Sequence, residues 1–329
     1  MRKPKILVVG SFVMDQIALT DKVPHEGETV LGKSFSKAPG GKGANQAVQA
    51  ARLGAQVTMV GKLGRDANGR DMIEVLEGDG IDVSHVAYDD KLPSGCSVII
   101  LQKQADGAVH NRIIVLPGTN MAITERDVAF LKESIGDYDL VMLQLEIPME
   151  INELVAAWAY EKGVPVMLNS APSAPLSDSL LSHLAYISPN EHEAADLTGI
   201  TIEHEGSSFN KEQAVAVCTA LRAKGVKNVL VTMGSAGAVL MNDEGFFHSP
   251  ALQGVTVVDP TAAGDSFVGA FCTGIACGWK VEETMAFANQ VASRTVSAAG
   301  AMPSLPTLGV VERFIEEKGF HKPDFSRLR

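Results

Sequence analysis

The sequence predicts an α/β fold, a doubly wound and mostly parallel sheet with helices on both faces, plus a small β-sheet lid. Two observations lead to this prediction. Near-continuously apolar runs alternate with helical patterns along most of the chain, as expected of strands that are buried on both faces. Residues 12–36 and 94–117 break this alternation with short strand-like stretches. We therefore expect a single domain over residues 1–329, with these two segments forming the lid.

The predicted elements follow in order along the chain. The clearest buried strands are KILVVGS, QVTMVGK, DLVMLQLE, VPVMLNS, AYISPN and NVLVTMG. The helices between them include GANQAVQAARLG, ANGRDMIEVLEGDG, INELVAAWAYEKG and KEQAVAVCTALRAKG, several of which are closed by a glycine. We interpret the short alternating stretches GETVLG, SGCSVIILQ and NRIIVLPG as antiparallel lid strands outside the main sheet. Lids of this kind exclude water from a reactive site.

Composition narrows the class of partner. The 329 residues are 46% apolar, enough for a large core, and carry a formal net charge of −11 without long runs of one sign. This charge argues against nucleic-acid binding and against an anionic membrane surface, and it favours a small-molecule partner. The sequence has no apolar run of membrane-spanning length, and its four cysteines form no CxxC pair. We therefore expect a cytoplasmic protein.

The stretch GETVLGKS at 27–34 matches the phosphate-binding pattern G-x-x-x-x-G-K-[ST]. That loop binds phosphate when it leaves a buried strand and its Lys-Ser pair opens a helix. Upstream, Pro24 lies among charged residues, and downstream Pro39 and two glycines would stop a helix. The flanking sequence therefore predicts that Lys33 and Ser34 take no part in phosphate binding.

The stretch 255–278 carries a stronger phosphate signal. We expect the buried strand VTVV to lead into Asp259-Pro260, a turn of small residues at 261–264, and a long helix headed by Asp265. Small residues let the backbone approach a phosphate closely, and a helix start presents unpaired N–H groups. Asp265 could then accept the proton of an attacking hydroxyl, or it could simply cap the helix. The residues by themselves leave both interpretations open.

Two further clusters suggest ligand contacts. Asp15 follows the first strand, and GGKGANQ at 40–46 opens a helix. A carboxylate, an amide and exposed glycine backbone suit a vicinal diol, although a plain turn and helix start would look the same. Asn190 and Glu193 follow the strand AYISP. They could position phosphate and hydrated Mg²⁺, or they could form a capping box.

Taken together and in this order, the clusters resemble the ribokinase (PfkB-type) family of sugar and nucleoside kinases. The motifs most specific for that family are the D-x-x-A-A-G-D run at 259–265 and the N-x-x-E run at 190–193. GGKGANQA at 40–47 is similar to the ribokinase members in particular. The resemblance covers nearly the whole chain, from VVGS at 8–11 to GAMPSLP at 300–306.

The resemblance implies a role for each matching position. Asp265 would be the catalytic base, and the anion hole would be formed by the backbone of Ala262, Ala263 and Gly264. The residues expected to hold the sugar are Asp15, Gly41, Lys42, Asn45 and Glu146. Those expected to face ATP are Asn190, Thr232, Gly234, Gly237 and Asn289, with Glu193 organising Mg²⁺ through water. The expected K⁺ site consists of Asp259, Thr261, Thr295, Ala298, Gly300 and Ser304, largely through backbone carbonyls.

The expected activity is ATP-dependent phosphorylation of the primary hydroxyl of a pentose, D-ribose at O5, in a homodimer that pairs through its lids. Val13 departs from the family pattern, because it stands where a ribokinase has an asparagine that contacts a sugar hydroxyl. An apolar residue there is more like the 2-deoxyribokinases, so 2-deoxyribose is an alternative, followed by another sugar or a nucleoside. A sugar- or nucleotide-sensing protein without catalysis is the alternative from another class. A dehydrogenase is excluded, since VVGSFVMDQ lacks G-x-G-x-x-G.

Overall fold

The computed structural model describes residues 2–103 and 109–329. Its strands are β1 (Lys5–Val9), β2 (Val13–Thr20), β3 (Ser34–Gly40), β4 (Gln56–Gly64), β5 (Val86–Asp89), β6 (Cys96–Lys103), β7 (Val109–Leu116), β8 (Leu140–Gln144), β9 (Val166–Asn169), β10 (Tyr186–Ile187), β11 (His204–Glu205), β12 (Ser208–Phe209), β13 (Asn228–Thr232), β14 (Ala238–Asn242) and β15 (Gly245–Ser249). Its α-helices are α1 (Lys42–Arg52), α2 (Ala67–Gly78), α3 (Glu125–Val128), α4 (Leu131–Ser134), α5 (Met149–Glu161), α6 (Asp178–His183), α7 (Glu191–Thr198), α8 (Lys211–Ala223), α9 (Ala263–Cys277), α10 (Val281–Thr295) and α11 (Leu308–Lys318).

The main sheet is doubly wound, as predicted. Across the described residues its order is β15-β14-β13-β10-β9-β8-β1-β4-β5, and its neighbouring strands are parallel except for the pairs β13–β14 and β14–β15, which are antiparallel. Ile6 and Val8 of β1 pack on one face with α1 and α9, whereas Leu7 and Val9 pack on the other face with α5 and α8. Both faces of a central strand are therefore buried, which explains its unbroken apolar sequence.

A second, smaller sheet forms the lid, in the order β3-β2-β6-β7. Its outer pairs are antiparallel, but β2 and β6 run parallel, so the prediction of purely antiparallel strands was wrong. The prediction of a strand at GETVLG was also wrong, since this stretch precedes β3. Gly27 turns the chain there at φ 75°, and Leu31 is 93% exposed. Residues 104–108 of the predicted lid segment 94–117 lie outside the described residues.

The stretch VTVVDP is not a buried strand either. Val257 and Val258 are 62% and 58% exposed. The backbone N–H groups of Val258 and Asp259 both donate to the carbonyl of Val296, just after α10. An apolar run that pairs with a helix end instead of a sheet cannot be distinguished from a strand by its sequence pattern.

The lid joins the rest of the chain at a compact junction. The chain enters β2 at Phe12-Val13, leaves β3 at Gly40-Gly41, enters β6 at Gly95-Cys96 and leaves β7 at Leu116-Pro117. Asn120 ties the first and last crossings together, because its side chain accepts from the N–H of Phe12 at 2.9 Å and donates to the carbonyl of Phe12 at 2.7 Å. The N–H of Met14 donates to the carbonyl of Gly95 at 2.9 Å.

Candidate active site

A cavity of about 220 Å³ lies where the carboxyl ends of β9, β10 and β13 meet the start of α9. This is where ligands bind in an open parallel sheet. Eight of the predicted site residues line it: Lys42, Asn190, Glu193, Thr232, Ala262, Ala263, Gly264 and Asp265. Asn169 and Ser188, which sequence analysis did not single out, line it as well.

Asp265 is 8% exposed and does not cap its helix. The N-cap of α9 is Ala262, and no side chain caps that helix. The carboxylate of Asp265 instead accepts from Asn45 Nδ2 at 2.9 Å and from Gln46 Nε2 at 3.1 Å. The capping alternative is therefore wrong, and Asp265 faces the helix that begins at GGKGANQ.

The start of α9 presents free backbone donors to the cavity. Ala262 has φ 60°, and it is the only non-glycine residue with positive φ in the described part of the chain. The N–H of Ala263 already donates to the carbonyl of Pro260 at 3.2 Å, which corrects the expectation that this amide is a free donor. Within the described residues the amides of Ala262, Gly264 and Asp265 have no hydrogen-bond acceptor, and a Cβ on Gly264 would meet open space. These amides are available to an anion.

Lys42 brings a positive charge to the same cavity. Its backbone N–H donates to Glu146 Oε2 at 3.0 Å, and its side chain lines the pocket beside Asp265 and Glu193. Burial lowers the pKa of Lys42, but the negative charges of Asp265, Glu146 and Glu193 together raise it above the ordinary lysine value. The ammonium group therefore stays charged where the helix start offers its amides.

The predicted sugar contacts lie next to the lid junction. Asp15 on β2 accepts from Ser97 Oγ at 2.5 Å, and burial raises the pKa of this carboxyl although the Ser97 hydrogen bond opposes the rise. Gly41 has φ 93°, and a Cβ there would lie 2.7 Å from the backbone nitrogen of Val13. Asn45 Oδ1 is buried and has no partner in the described residues. The cluster thus holds one buried acceptor whose hydrogen-bonding capacity is unused within the described residues.

Asn190 and Glu193 form a capping box and also line the cavity. Asn190 Oδ1 accepts from the N–H of Glu193 at 2.8 Å, and Glu193 Oε2 accepts from the N–H of Asn190 at 2.9 Å. Burial raises the pKa of Glu193, more than the hydrogen bond from Asn190 and the charge of Lys42 lower it. A short bridge joins Asn190 to Thr232, so the ends of β10 and β13 are held together. Both interpretations made from the sequence therefore fit the same residues.

Three predicted nucleotide contacts lie outside this cavity. Asn289 Nδ2 donates to the carbonyl oxygens of Ser249 and Pro250, at 3.0 and 3.2 Å. A Cβ on Gly237 would lie 2.2 Å from the Ser249 carbonyl, so this position must remain glycine. Gly234, with φ 50°, begins the turn after β13. The structure therefore brings Gly237 and Asn289 together at the 249–250 bend, beside the cavity lining and not within it.

Asp259 draws together the two segments of the predicted cation site. Its carboxylate accepts from the N–H of Thr261 and from the N–H of Gly300, both at 2.9 Å. Burial would raise the pKa of Asp259, but these hydrogen bonds hold it below the ordinary value. Thr295 and Ser304, which are close to Gly300 in the sequence, are both buried. The Thr295 carbonyl accepts from the N–H of Ala298. Within residues 2–103 and 109–329 no cluster of three or more His, Cys, Asp or Glu side chains could hold a metal ion.

Sequence analysis missed several polar residues around Asp265. Gln46, Gln144 and Asn169 connect to it through side-chain amides. Gln144 and Asn169 are the last residues of β8 and β9. A polar residue at the end of a buried parallel strand is the signal that could have identified them.

The sequence of this chain is similar to that of a known protein family. The model of the pfkB family of carbohydrate kinases matches residues 3–308. The chain belongs to this family. It is therefore a sugar kinase, with a small-molecule sugar as its substrate. None of the helices in the described ranges is both long and apolar enough to cross a membrane.

Individual members of the family are similar over nearly the whole chain. The ribokinase of Bacillus subtilis is 38% identical, covering 94% of this chain and 99% of its own length. The deoxyribokinase of Salmonella typhimurium is 33% identical, covering 94% and 97%. The structure of Arabidopsis thaliana ribokinase complexed with ribose and ATP has a TM-score of 0.86 and 34% identity, covering 96% of this chain and 99% of that one.

Proposed function

We propose that this kinase transfers the γ-phosphate of ATP to the primary hydroxyl of a pentose, D-ribose at O5. The observation that carries the proposal is the position of Asp265, a buried carboxylate beside backbone amides at the start of α9 that have no acceptor in the described residues. The ribokinase relatives, one of them in complex with ribose and ATP, support the choice of substrates. This arrangement places a proposed base next to a proposed anion site.

The chemistry follows from where these groups lie. The sugar O5 attacks the γ-phosphorus, the bond from that phosphorus to the bridging oxygen breaks, and ADP leaves with the electron pair. Asp265 accepts the O5 proton. Because the transition state of phosphoryl transfer is loose, positioning and charge stabilisation contribute most. Lys42 and the amides of Gly264 and Asp265 supply that stabilisation without reorganising.

The donor sets fit the two cations that the family implies. Glu193 and Asn190 present oxygen ligands at the nucleotide side, as Mg²⁺ prefers, and bound Mg²⁺ would neutralise phosphate charge. Asp259, with backbone carbonyls and hydroxyls of the 259–261 and 295–304 segments, offers an all-oxygen set for K⁺. Asp259 accepts a hydrogen bond from Thr261, which lies two residues before Ala263, the first residue of α9. A cation that ordered this segment would therefore also stabilise the start of α9.

One observation favours 2-deoxy-D-ribose as a second candidate substrate. Val13 is 7% exposed and lies against Gly41, within the predicted sugar cluster. A hydroxyl that it leaves unpaired would cost roughly 1 to 3 kcal/mol on burial.

The deciding experiment is ATP turnover with D-ribose and with 2-deoxy-D-ribose, each with and without potassium, in the wild type and in Val13→Asn. We expect wild-type kcat/KM to favour ribose, and Val13→Asn to raise the ratio of ribose to deoxyribose about tenfold. A wild-type preference for the deoxy sugar would establish the second candidate. Turnover with neither sugar would refute the proposal.

We also propose a homodimer formed through the lids. Phe35, Ile113, Ile114, Val115 and Leu116, all in lid strands, are 47–63% exposed. The strand register places Phe35, Ile114 and Leu116 on one face of the lid and Ile113 and Val115 on the other. Exposed apolar side chains concentrated on one small sheet are typical of a protein interface. Light scattering should give the mass of a dimer, and Ile114→Lys should shift it to that of a monomer. A monomeric wild type at micromolar concentration would contradict this.

A further inference from the structure

Gln46 is a fully buried amide on α1 whose hydrogen-bonding groups are all engaged inside the protein. Its Nε2 donates to Asp265 Oδ1 at 3.1 Å and to Asn169 Oδ1 at 3.2 Å. Its Oε1 accepts from Gln144 Nε2 at 2.7 Å. Each of these contacts joins residues at least 98 positions apart in the chain.

The neighbours of Gln46 fix which way its amide points. Gln144 takes the oxygen, so the nitrogen must face Asp265 and Asn169. Asn169 in turn donates through Nδ2 to the carbonyl of Ser188 at 2.8 Å, which turns Asn169 Oδ1 toward Gln46. The ends of β8, β9 and β10 therefore determine the orientation of one amide on α1.

The orientation of the Gln46 and Gln144 amides leaves one buried polar atom without a hydrogen bond. Gln144 Oε1 is buried and has no hydrogen-bond partner in the described residues, while its Nε2 serves Gln46. An unpaired buried acceptor is unfavourable unless it serves a specific arrangement. In this arrangement the Gln46 Nε2 donor remains directed at the Asp265 carboxylate.

Asn45, the neighbouring donor to Asp265, differs from Gln46 in one respect. Its Oδ1 has no hydrogen-bond partner in the described residues. Gln46 has no such group left. The proposed function gives Asn45 a sugar contact besides its contact with the base, whereas Gln46 contacts the base and the sheet.

We propose that Gln46 is a positioning residue that holds the Asp265 carboxylate in the orientation needed for proton transfer, and that Gln144 fixes Gln46 in turn. The inference rests on the proposed function, in which Asp265 is the base. Misplacing a reacting group by about 1 Å can cost a hundredfold in rate. Because no substrate contact is lost, the effect should fall on kcat and not on KM.

The test is steady-state kinetics of Gln46→Met, which keeps side-chain length and removes the amide. We expect kcat to fall 10- to 100-fold, with KM for sugar and ATP within twofold of wild type. Gln144→Met should lower kcat in the same direction by a smaller factor. In an Asp265→Asn background, Gln46→Met should cause no further loss, since residues that act as a unit are not additive.

Gln49→Met is the matched control. Gln49 lies one turn further along α1, is also fully buried, and donates to the carbonyl of Pro306 at 3.0 Å, away from Asp265. The kcat of the Gln49→Met variant should stay within twofold of wild type, and circular dichroism should show that all variants are folded. If Gln46→Met does not fold, Gln144→Met decides.

The remaining outcomes count either against the inference or against the proposed function. A Gln46→Met kcat within twofold of wild type, or an additive loss in the Asp265→Asn background, would overturn the inference. A Gln49→Met loss as large as that of Gln46→Met would do the same, because it would mean that any buried amide on α1 matters equally. Wild-type turnover by Asp265→Asn would instead overturn the proposed function.

Discussion

Two regions of this chain carry a phosphate-like signal, and they differ in what surrounds their backbone. In GETVLGKS, Lys33 forms an exposed ion pair with Asp21 at 2.7 Å, and Ser34 opens a lid strand instead of a helix. At 261–266, the small residues open the 15-residue helix α9 and leave the amides of Gly264 and Asp265 without acceptors. The first region matches a motif by its letters, whereas the second has unpaired N–H groups of the kind that can bind phosphate.

Removing the proposed base, Asp265, in the second region should have the largest effect. Asp265→Asn keeps the shape of the side chain and removes its ability to take a proton. We expect kcat to fall about a thousandfold, within the range measured for general bases, while calorimetry shows sugar and nucleotide binding within a few fold of wild type. Retained turnover would assign catalysis elsewhere, and lost binding would mean that the substitution disturbs the site as a whole.

Lys42 is the cationic counterpart of this region and makes a direct comparison with Lys33. Lys42→Ala removes the ammonium group that lies with Asp265 and Glu193 in the cavity. We expect kcat/KM for ATP to fall about a hundredfold, as for loss of one electrostatic donor. A loss below fivefold would show that the helix amides stabilise the phosphate without help from this lysine.

The left-handed backbone at Ala262 should be visible in stability. Ala262→Gly removes the steric cost of φ 60° at an alanine and should raise the free energy of unfolding by about 0.5 to 1 kcal/mol in urea titrations, after allowing for the extra freedom of glycine when unfolded. Ala263→Gly is the control, since its φ is not positive, and it should lower stability by up to about 1 kcal/mol. The same sign for both variants would show that Ala262 is not strained.

The smallest effect is expected in the first region. Lys33→Ala removes one exposed ion pair, which is worth at most about 1 kcal/mol, and should leave kcat and both KM values within twofold of wild type. A hundredfold loss of kcat would make GETVLGKS a working phosphate loop after all, and would reverse the comparison.

The sequence predicted what depends on local pattern. The central strands and the helices at 42–52, 149–161 and 211–223 follow from unbroken apolar runs and from glycines after the last turn. GETVLG and VTVVDP were misassigned, because a short apolar run does not reveal whether a partner strand lies beside it. The parallel pairing of β2 with β6 depends on a connection through the main sheet, which periodicity does not encode.

The candidate site was predictable only in part for a similar reason. Asp265 and Glu193 were identified from local runs that resemble those of a known family. The contact between Gln46 and Asp265 joins residues 219 positions apart, and no spacing rule reaches that far. That Asn190 and Glu193 cap a helix and also line the cavity could not be seen from the sequence, since both arrangements use the same spacing.

The cross-link between Asn120 and Phe12 has a mechanical consequence. Because its first and last crossings are tied together, a lid that moved as one plate would turn about this junction. Val13 and Gly41 lie at the junction, whereas Phe35 and Ile113 lie further along their strands. Such a rotation would displace the far end of the lid more than the proposed sugar contacts at the junction.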